Sequence, residues 1–294
     1  MISSLESKED FERMFPPDQL DTVGDQWLIK WRGSQTLRYD ICLEVAQGVL
    51  DRGTVENFLD IGCAQSIFLM ALKERFPSIE FHGSDISENV IEWNRKRFPG
   101  NHYSQCALPE VGFPLESLDF ISALEVVYYL DEQGRETALR NMAAALRPGG
   151  YLLISGVLDG GARYFSEDWI VKAVSDILEI EKIEFNYARM YSYIERMLLR
   201  AHHLFQASLA DLRQPVRTEA ESGPVRKSVV RRLFARAAML PVIGFFMKAA
   251  APLEEWLIRA LLGRVWMPEL CSKITKYIMA DRGKSHIIIL ARKV

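Results

Sequence analysis

Apolar and polar positions alternate along the chain in blocks that change period. Leu37, Ile41, Val45 and Val49 recur every fourth residue, which predicts a helix with one apolar stripe. Arg52 and Gly53 end it, and Phe58, Leu59 and Ile61, interrupted by Asp60, predict a first strand over Asn57 to Ile61. The helical pattern from Ile67 to Phe76 stops at Pro77, and Ile79 to Asp85 reads as a second strand. Ser87 stands where an N-cap belongs for a helix running to Phe98, and His102 to Leu108 predicts a short third strand. Leu118 to Val127 is nearly continuously apolar, as expected of a strand buried on both faces. Leu139, Met142, Ala143 and Leu146 stripe the next helix, which Arg147-Pro148-Gly149-Gly150 should end before a fifth strand, Tyr151 to Leu158. A helix over Ser166 to Ile177, a sixth strand over Leu178 to Tyr187 and a buried last strand over Ser285 to Arg292 complete the pattern. Strands alternating with helices predict a parallel, doubly wound α/β sheet covered on both faces.

Composition narrows the setting. With 294 residues, 49% of them hydrophobic, the chain can bury one large core or two smaller ones, and a net charge of −3 names no partner. Cys42, Cys63, Cys106 and Cys271 show neither a CxxC pair nor histidine spacing, which argues against a zinc site or disulfide framework and for a reducing compartment. The polar, acidic stretch Met1 to Asp10 does not read as an ordinary signal peptide. The most apolar stretch, Met239 to Leu262, is broken by Pro241, Lys248, Pro252, Glu254, Glu255 and Arg259, so no membrane span is expected. The expected location is cytoplasmic, with a peripheral place at the inner membrane face left open.

Candidate chemistry begins at Asn57 to Ser66, where a buried strand feeds Gly62 and a small-residue turn before a helix. Unpaired N–H groups and close backbone approach at such a turn suit a nucleotide-like ligand. Asp85 closes the second strand 25 residues after Asp60. A carboxylate there can accept from both hydroxyls of a ribose; the alternative is that it only caps the following helix. Asp60 has a similar alternative as a solvated strand end. No third glycine completes G-x-G-x-x-G, which disfavours a dinucleotide, and no G-x-x-x-x-G-K-[ST] is present.

The motifs LDIGCAQS, GSDIS (Gly83 to Ser87), LDFISALEVVYYL (Leu118 to Leu130) and LRPGGYLLIS (Leu146 to Ser155) come in the order and spacing of a known family. Over about Leu37 to Leu158 the chain resembles class I S-adenosylmethionine-dependent methyltransferases, and EVVYYL makes it similar to nodulation-type and related sugar N-methyltransferases. The resemblance implies a Rossmann-like seven-stranded sheet of order 3-2-1-4-5-7-6 with an antiparallel last strand, and S-adenosylmethionine as cofactor. It implies that Asp60, Gly62, Cys63 and Ala64 hold the methionine portion, Asp85 the ribose, Ile86 an adenine face and Ala107 and Leu108 the adenine edge. Glu125, Tyr128 and Tyr129 fall where the family lines its substrate mouth, Glu125 also bordering the cofactor. Trp27, Trp31, Arg32 and Tyr39 match a gate over the substrate, or else pack the first helix. The chain departs from the family at Ala64, where a second turn glycine is usual, at Ser66, and at Ala107, near which an acidic residue is common.

The same resemblance divides the chain into an N-terminal gate segment (1–36), a core (37–188 and 283–294) and a helical insertion (189–282). The sixth strand delivers the insertion to the ligand face of the sheet, so it is expected to form a lid. Arg189 to Ala280 carries 15 Lys and Arg against 7 Asp and Glu. Arg226, Lys227, Arg231, Arg232 and Arg236 cluster ahead of the apolar Met239 to Met267. This is either a helical cap with a solvated basic face or a surface for an anion, such as a phosphate on the substrate or anionic lipid.

Methyl transfer asks the protein to align a nucleophile, with a base only if that nucleophile arrives protonated. Glu125 and Tyr128 are the expected orienting groups, and His202 and His203 on the first insertion helix are candidate bases or solvent-facing residues. His82 and His286 are expected to be structural. The expected reaction is methylation of an N or O atom of a small molecule such as a sugar, glycolipid or secondary metabolite, and a homodimer is left open. Two alternatives remain: an interaction module with weak or lost cofactor binding, and an RNA methyltransferase. The second is disfavoured because no NPPY-like tetrapeptide follows the fourth strand, so nucleic acid is not the expected partner.

Overall fold

The computed structural model describes residues 7–18, 20–23, 32–161, 163–213 and 266–294. Its strands are β1 (Asn57–Ile61), β2 (Glu80–Asp85), β3 (His102–Gln105), β4 (Leu118–Leu124), β5 (Leu146–Val157), β6 (Glu179–Asn186) and β7 (His286–Arg292). They form one sheet of order β3-β2-β1-β4-β5-β7-β6. β1 to β5 pair in parallel, whereas β7 runs antiparallel to both β5 and β6. The helices are α1 (Lys8–Met14), α2 (Leu20–Val23), α3 (Gly33–Leu50), α4 (Ile67–Arg75), α5 (Glu88–Arg97), α6 (Glu132–Ala145), α7 (Glu167–Ser175), α8 (Arg189–Arg213) and α9 (Trp266–Met279).

Alternation along the strands splits the core between the two faces of the sheet. Phe58, Phe120 and Leu153 meet Cys42, Val45 and Phe68 of α3 and α4 on one face. Leu59, Ile61 and Ile121 meet Leu139 and Met142 of α6 on the other, with α7 joining further along. Phe58 anchors the first layer, stacked on Phe120 with centroids 4.7 Å apart and tilted against Phe81 at 5.1 Å. Such side chains carry most of the apolar burial that offsets chain entropy.

One helix stripe and three strand boundaries differ from the sequence pattern in ways that bear on the site. The α3 stripe is rotated: Arg38, Tyr39, Cys42, Val45, Ala46 and Val49 are buried, whereas Leu37 and Ile41 are only partly so. β4 stops at Leu124 because Glu125 adopts a left-handed backbone, φ 61°, and Val127–Tyr129 then form a 3-10 turn. β3 ends at Gln105, short of Leu108. β5 starts early at Leu146, paired with Leu118, and the Pro-Gly-Gly stretch falls in an irregularity of register before Tyr151 pairs with Phe120; Gly149 sits at φ 82° and donates to the Lys293 carbonyl.

α8 follows β6. It is latched to the start of α3 by Glu195, which is fully buried and accepts from Arg32 Nη2 at 2.9 Å and from the Ser34 hydroxyl. α9 packs against α8 and α3. The basic cluster at 226–236, nearly all of the apolar stretch after it, and Trp27 and Trp31 lie outside the described residues. Among the described residues, no helix is long and apolar enough to cross a membrane.

Candidate active site

One cavity of about 600 Å³ opens at the C-terminal ends of β1, β2 and β4. That is where ligands bind in sheets of this winding, and the volume falls within the range of small-molecule sites.

The β1 turn forms its floor. Gly62 and Cys63 donate backbone N–H groups to the Ser84 carbonyl at 2.8 and 3.0 Å, fastening the turn to the end of β2. Three residues of the turn are left-handed: Gly62 at φ 71°, Ala64 at 42° and Ser66 at 55°. A Cβ on Gly62 would come within 2.9 Å of Val126 Cγ2, so glycine is required there by both conformation and space. Ala64 and Ser66 hold the same conformation with a Cβ, at a cost of roughly 1 kcal/mol or more each. Asn94 of α5 offsets part of this by donating its amide to the Ala64 carbonyl at 2.7 Å.

Two buried carboxylates stand over the turn. Asp60 accepts from the Ser122 hydroxyl at 2.6 Å. Burial pushes its pKa up to about 7 against the lowering effect of that bond, with Asp85 adding to the rise. Asp85 accepts from the Ala64 N–H on Oδ2 and from the Ser87 N–H on Oδ1, both at 3.0 Å. It therefore braces the start of α5 and lines the cavity at once, and each oxygen keeps a second acceptor position. Its pKa is also raised, chiefly by burial.

The opposite wall is cationic and aromatic. Arg38, 5% exposed, places Nη1 3.1 Å from Glu125 Oε1 and donates from Nη2 to Gln35 at 2.8 Å. The Ser155 hydroxyl donates to the same Glu125 oxygen at 3.0 Å. The Tyr128 and Tyr129 rings meet at a tilt of 46° with centroids 4.8 Å apart, and Phe11 of α1 meets Tyr129 edge-on at 5.2 Å. Arg135 of α6 holds this wall in place by donating to the carbonyls of Tyr128, Leu130, Arg163 and Tyr164 at 2.8 to 3.1 Å.

The cavity gathers Asp60, Gly62, Cys63, Ala64, Asp85, Ile86, Ala107, Leu108, Glu125, Tyr128, Tyr129, Arg32 and Tyr39. Arg32 reaches it with its guanidinium already paired to Glu195. His202 sits on α8 and does not line the cavity, nor does any described side chain of α8 or α9. The side chain of His203 lies outside the described residues. Among the described residues, Phe11 of α1, Phe15 just after it and Tyr164 also line the cavity.

Arg38 and His286 are part of the site and were not among the expected residues. Arg38 falls in the first helix of the sequence pattern with no motif of its own, and His286 reads from sequence as a structural histidine near the start of the buried last strand. The resemblance already sets β7 between β5 and β6, and the register that pairs His286 with Val157 and Asn186 is what brings it to the cavity.

These residues fit an adenosine sulfonium ligand. Acceptor positions on Asp85 match a pair of hydroxyls, Asp60 suits a cationic centre, and the left-handed turn keeps backbone open to close approach. Comparison with known proteins points the same way. Residues 59–152 match the family model described as a methyltransferase domain. Nodulation protein S of Sinorhizobium fredii (strain NBRC 101917 / NGR234) is 25% identical over 183 residues, covering 60% of this chain and 81% of that protein. The crystal structure of N-methyltransferase NodS from Bradyrhizobium japonicum WM9, in complex with S-adenosyl-L-homocysteine, superposes with a TM-score of 0.50 at 22% identity. It covers 61% of this chain and 90% of that one, a likeness of fold.

Proposed function

From a chain that carries a class I S-adenosylmethionine-dependent methyltransferase domain similar to the nodulation-type enzymes, we infer a methyltransferase acting on an N or O atom of a small molecule. Its acceptor belongs among sugars, glycolipids or secondary metabolites, and the name of the NodS relative favours nitrogen. The observation that carries this reading is the single cavity in which the β1 turn, Asp60 and Asp85 face Glu125 and the two tyrosines.

When bound, the cofactor supplies a methyl group on sulfur already activated for displacement. Asp85 holds the ribose hydroxyls, and Ile86, Ala107 and Leu108 enclose the adenine. Asp60 and the turn from Gly62 to Ala64 hold the methionine portion. Glu125, Tyr128 and Tyr129 orient the acceptor, whose alignment and shielding from water are the protein's main contribution to rate. Arg32 and Tyr39 border that acceptor space.

Leu270, Tyr277 and Ile278 are exposed on α9 among the exposed Lys273 and Lys276. This face supports an acceptor presented on an anionic lipid surface. Sedimentation with phosphatidylglycerol vesicles tests it, and retention of sedimentation by a Lys273→Glu, Lys276→Glu variant would remove α9 as the contact.

Calorimetric titration with S-adenosyl-L-homocysteine tests the central reading. Binding is expected; no heat and no thermal shift at millimolar ligand would overturn the enzyme reading in favour of an interaction module. An RNA acceptor would instead announce itself as steeply salt-dependent RNA binding.

A further inference from the structure

His286 opens β7 in register with Val157 of β5 and Asn186 of β6, so its backbone is pinned on both sides at the cavity end of the sheet. The residue is buried and its ring lines the cavity. Nδ1 lies 3.0 Å from the Ser285 hydroxyl oxygen. That hydroxyl donates its one proton to the Asn186 carbonyl at 2.8 Å and accepts the Ala188 N–H at 3.2 Å. What it offers His286 is a lone pair, so Nδ1 carries the ring hydrogen and Nε2 carries the free pair.

Nε2 faces Glu125 across 3.9 Å to Oε2, too far for a direct hydrogen bond. The carboxylate's other oxygen, Oε1, is already engaged by Arg38 and Ser155. Oε2 and Nε2 are thus two hydrogen-bond acceptors side by side, both on residues that wall the cavity. An atom at the usual distance of about 2.8 Å from both would see them at an angle of about 90°. That angle is close to the one between two hydrogens on a single nitrogen, whereas a hydroxyl has only one hydrogen to give.

We propose that His286 Nε2 and Glu125 Oε2 form a paired acceptor that receives the two N–H bonds of a primary amine and leaves the nitrogen lone pair for the methyl group. The proposal rests on the methyltransferase reading and names the residues that set its acceptor. Burial lowers the His286 pKa to about 4; Glu125 opposes the shift and Arg38 and Arg32 add to it, so the imidazole is uncharged at neutral pH. The Arg38 cation offsets the Glu125 anion, so the pair selects by hydrogen count more than by charge. As the lone pair forms the new N–C bond, the sulfur–methyl bond breaks with its electrons going to sulfur, and nitrogen leaves as a cation that sheds a proton to solvent. The neutral secondary amine so formed has one N–H left and satisfies only one of the two acceptors. The product is therefore monomethylated.

The test uses the full chain saturated with S-adenosyl-L-homocysteine and nitrogen-15 NMR of its histidines, with His286 assigned by its absence in His286→Gln. At pH 7 Nε2 is expected to be unprotonated and Nδ1 protonated. A proton on Nε2 would overturn the proposal, because Nε2 would then be a donor toward Glu125. Glucosamine and N-methylglucosamine serve as primary and secondary amine probes with labelled cofactor. His286→Phe is expected to lose about 100-fold in kcat/KM on glucosamine, whereas His286→Gln, whose carbonyl replaces Nε2 as acceptor, should stay within about tenfold of the parent. A Phe variant within threefold of the parent, or equal turnover of both probes, would also overturn it. If the parent turns over neither probe, the NMR result decides alone. Calorimetry of each variant with S-adenosyl-L-homocysteine separates the two readings, since failure of the parent to bind is a failure of the methyltransferase reading only.

Discussion

Asn94, in the second turn of α5, donates its side-chain amide to the carbonyl of Ala64 at 2.7 Å, and Ala64 is held at φ 42°. A helix on the outside of the sheet thus stabilises a backbone conformation that alanine disfavours, in the loop where the cofactor's methionine end is proposed to lie.

Replacing Ala64 by glycine should therefore stabilise the fold. Relief of the left-handed strain, about 1 kcal/mol, exceeds the added entropy of the unfolded chain at such a position. Asn94→Leu should destabilise by about 1 to 3 kcal/mol through the unpaired Ala64 carbonyl, and the double variant should recover part of that loss. Urea unfolding of the four proteins checks the cycle.

Gly62→Val is expected to abolish binding of S-adenosyl-L-homocysteine, but it will not leave the sheet undisturbed. The new Cβ would meet Val126 Cγ2 at 2.9 Å and sit at φ 71°. A stability loss of about 1 to 3 kcal/mol is expected, with partial recovery in Gly62→Val, Val126→Ala, which removes the contact and not the strain. Unchanged thermal unfolding of the single variant would contradict the close packing of the turn.

Asp60 and His286 pull the pH dependence of ligand-free stability in opposite directions. Asp60 has a folded pKa of about 7 against an ordinary value of 3.8, so the folded state holds the extra proton between those values and stability falls as pH rises through that window. His286, lowered to about 4 from 6.5, lets the unfolded state hold the extra proton, and stability rises from pH 4 to 6.5. Asp60→Asn keeps an acceptor for Ser122 and removes the first effect. Its stability should then climb with pH more steeply than the parent's, by up to about 1.4 kcal/mol per pH unit. Urea midpoints between pH 4.5 and 6.5 measure the difference.

The same carboxylate sets a pH dependence on binding. If ionised Asp60 holds the ammonium of S-adenosyl-L-homocysteine, affinity should fall as pH drops below about 7, approaching tenfold per unit. The dependence should vanish in Asp60→Asn. A flat calorimetric profile in the parent would place the ammonium elsewhere.

Arg135→Ala removes four donors' worth of carbonyl contacts that join the loop after β4 to the loop after β5. Burial of Tyr128 should loosen, acceptor KM should rise, and affinity for S-adenosyl-L-homocysteine should change little, because none of the Gly62 to Ala64 backbone depends on Arg135. A larger effect on S-adenosyl-L-homocysteine than on acceptor would refute this division of the cavity.

The chain's local pattern was sufficient for the sheet. Runs such as Phe58 to Ile61 and Tyr151 to Leu158 are apolar on both faces, and only a parallel sheet covered by helices buries both. The β1 turn that floors the cavity was legible for the same reason: Asp60, Gly62 and Asp85 follow directly from strand ends, where strand, turn and helix N-terminus are adjacent in sequence. The acceptor side was not. Glu125 acquires its meaning from Arg38, 87 positions earlier, and from His286, 161 positions later. Neither pairing leaves a periodic trace, because long-range side-chain contacts are set by the packing of α3 and β7 onto the sheet rather than by neighbours in the chain. The tertiary structure likewise brings Phe11 of α1 and Tyr164 to the cavity, while the described insertion helices pack beside α3. It also showed why Gly62 tolerates no side chain, since Val126 reaches it only after β4 lies against β1.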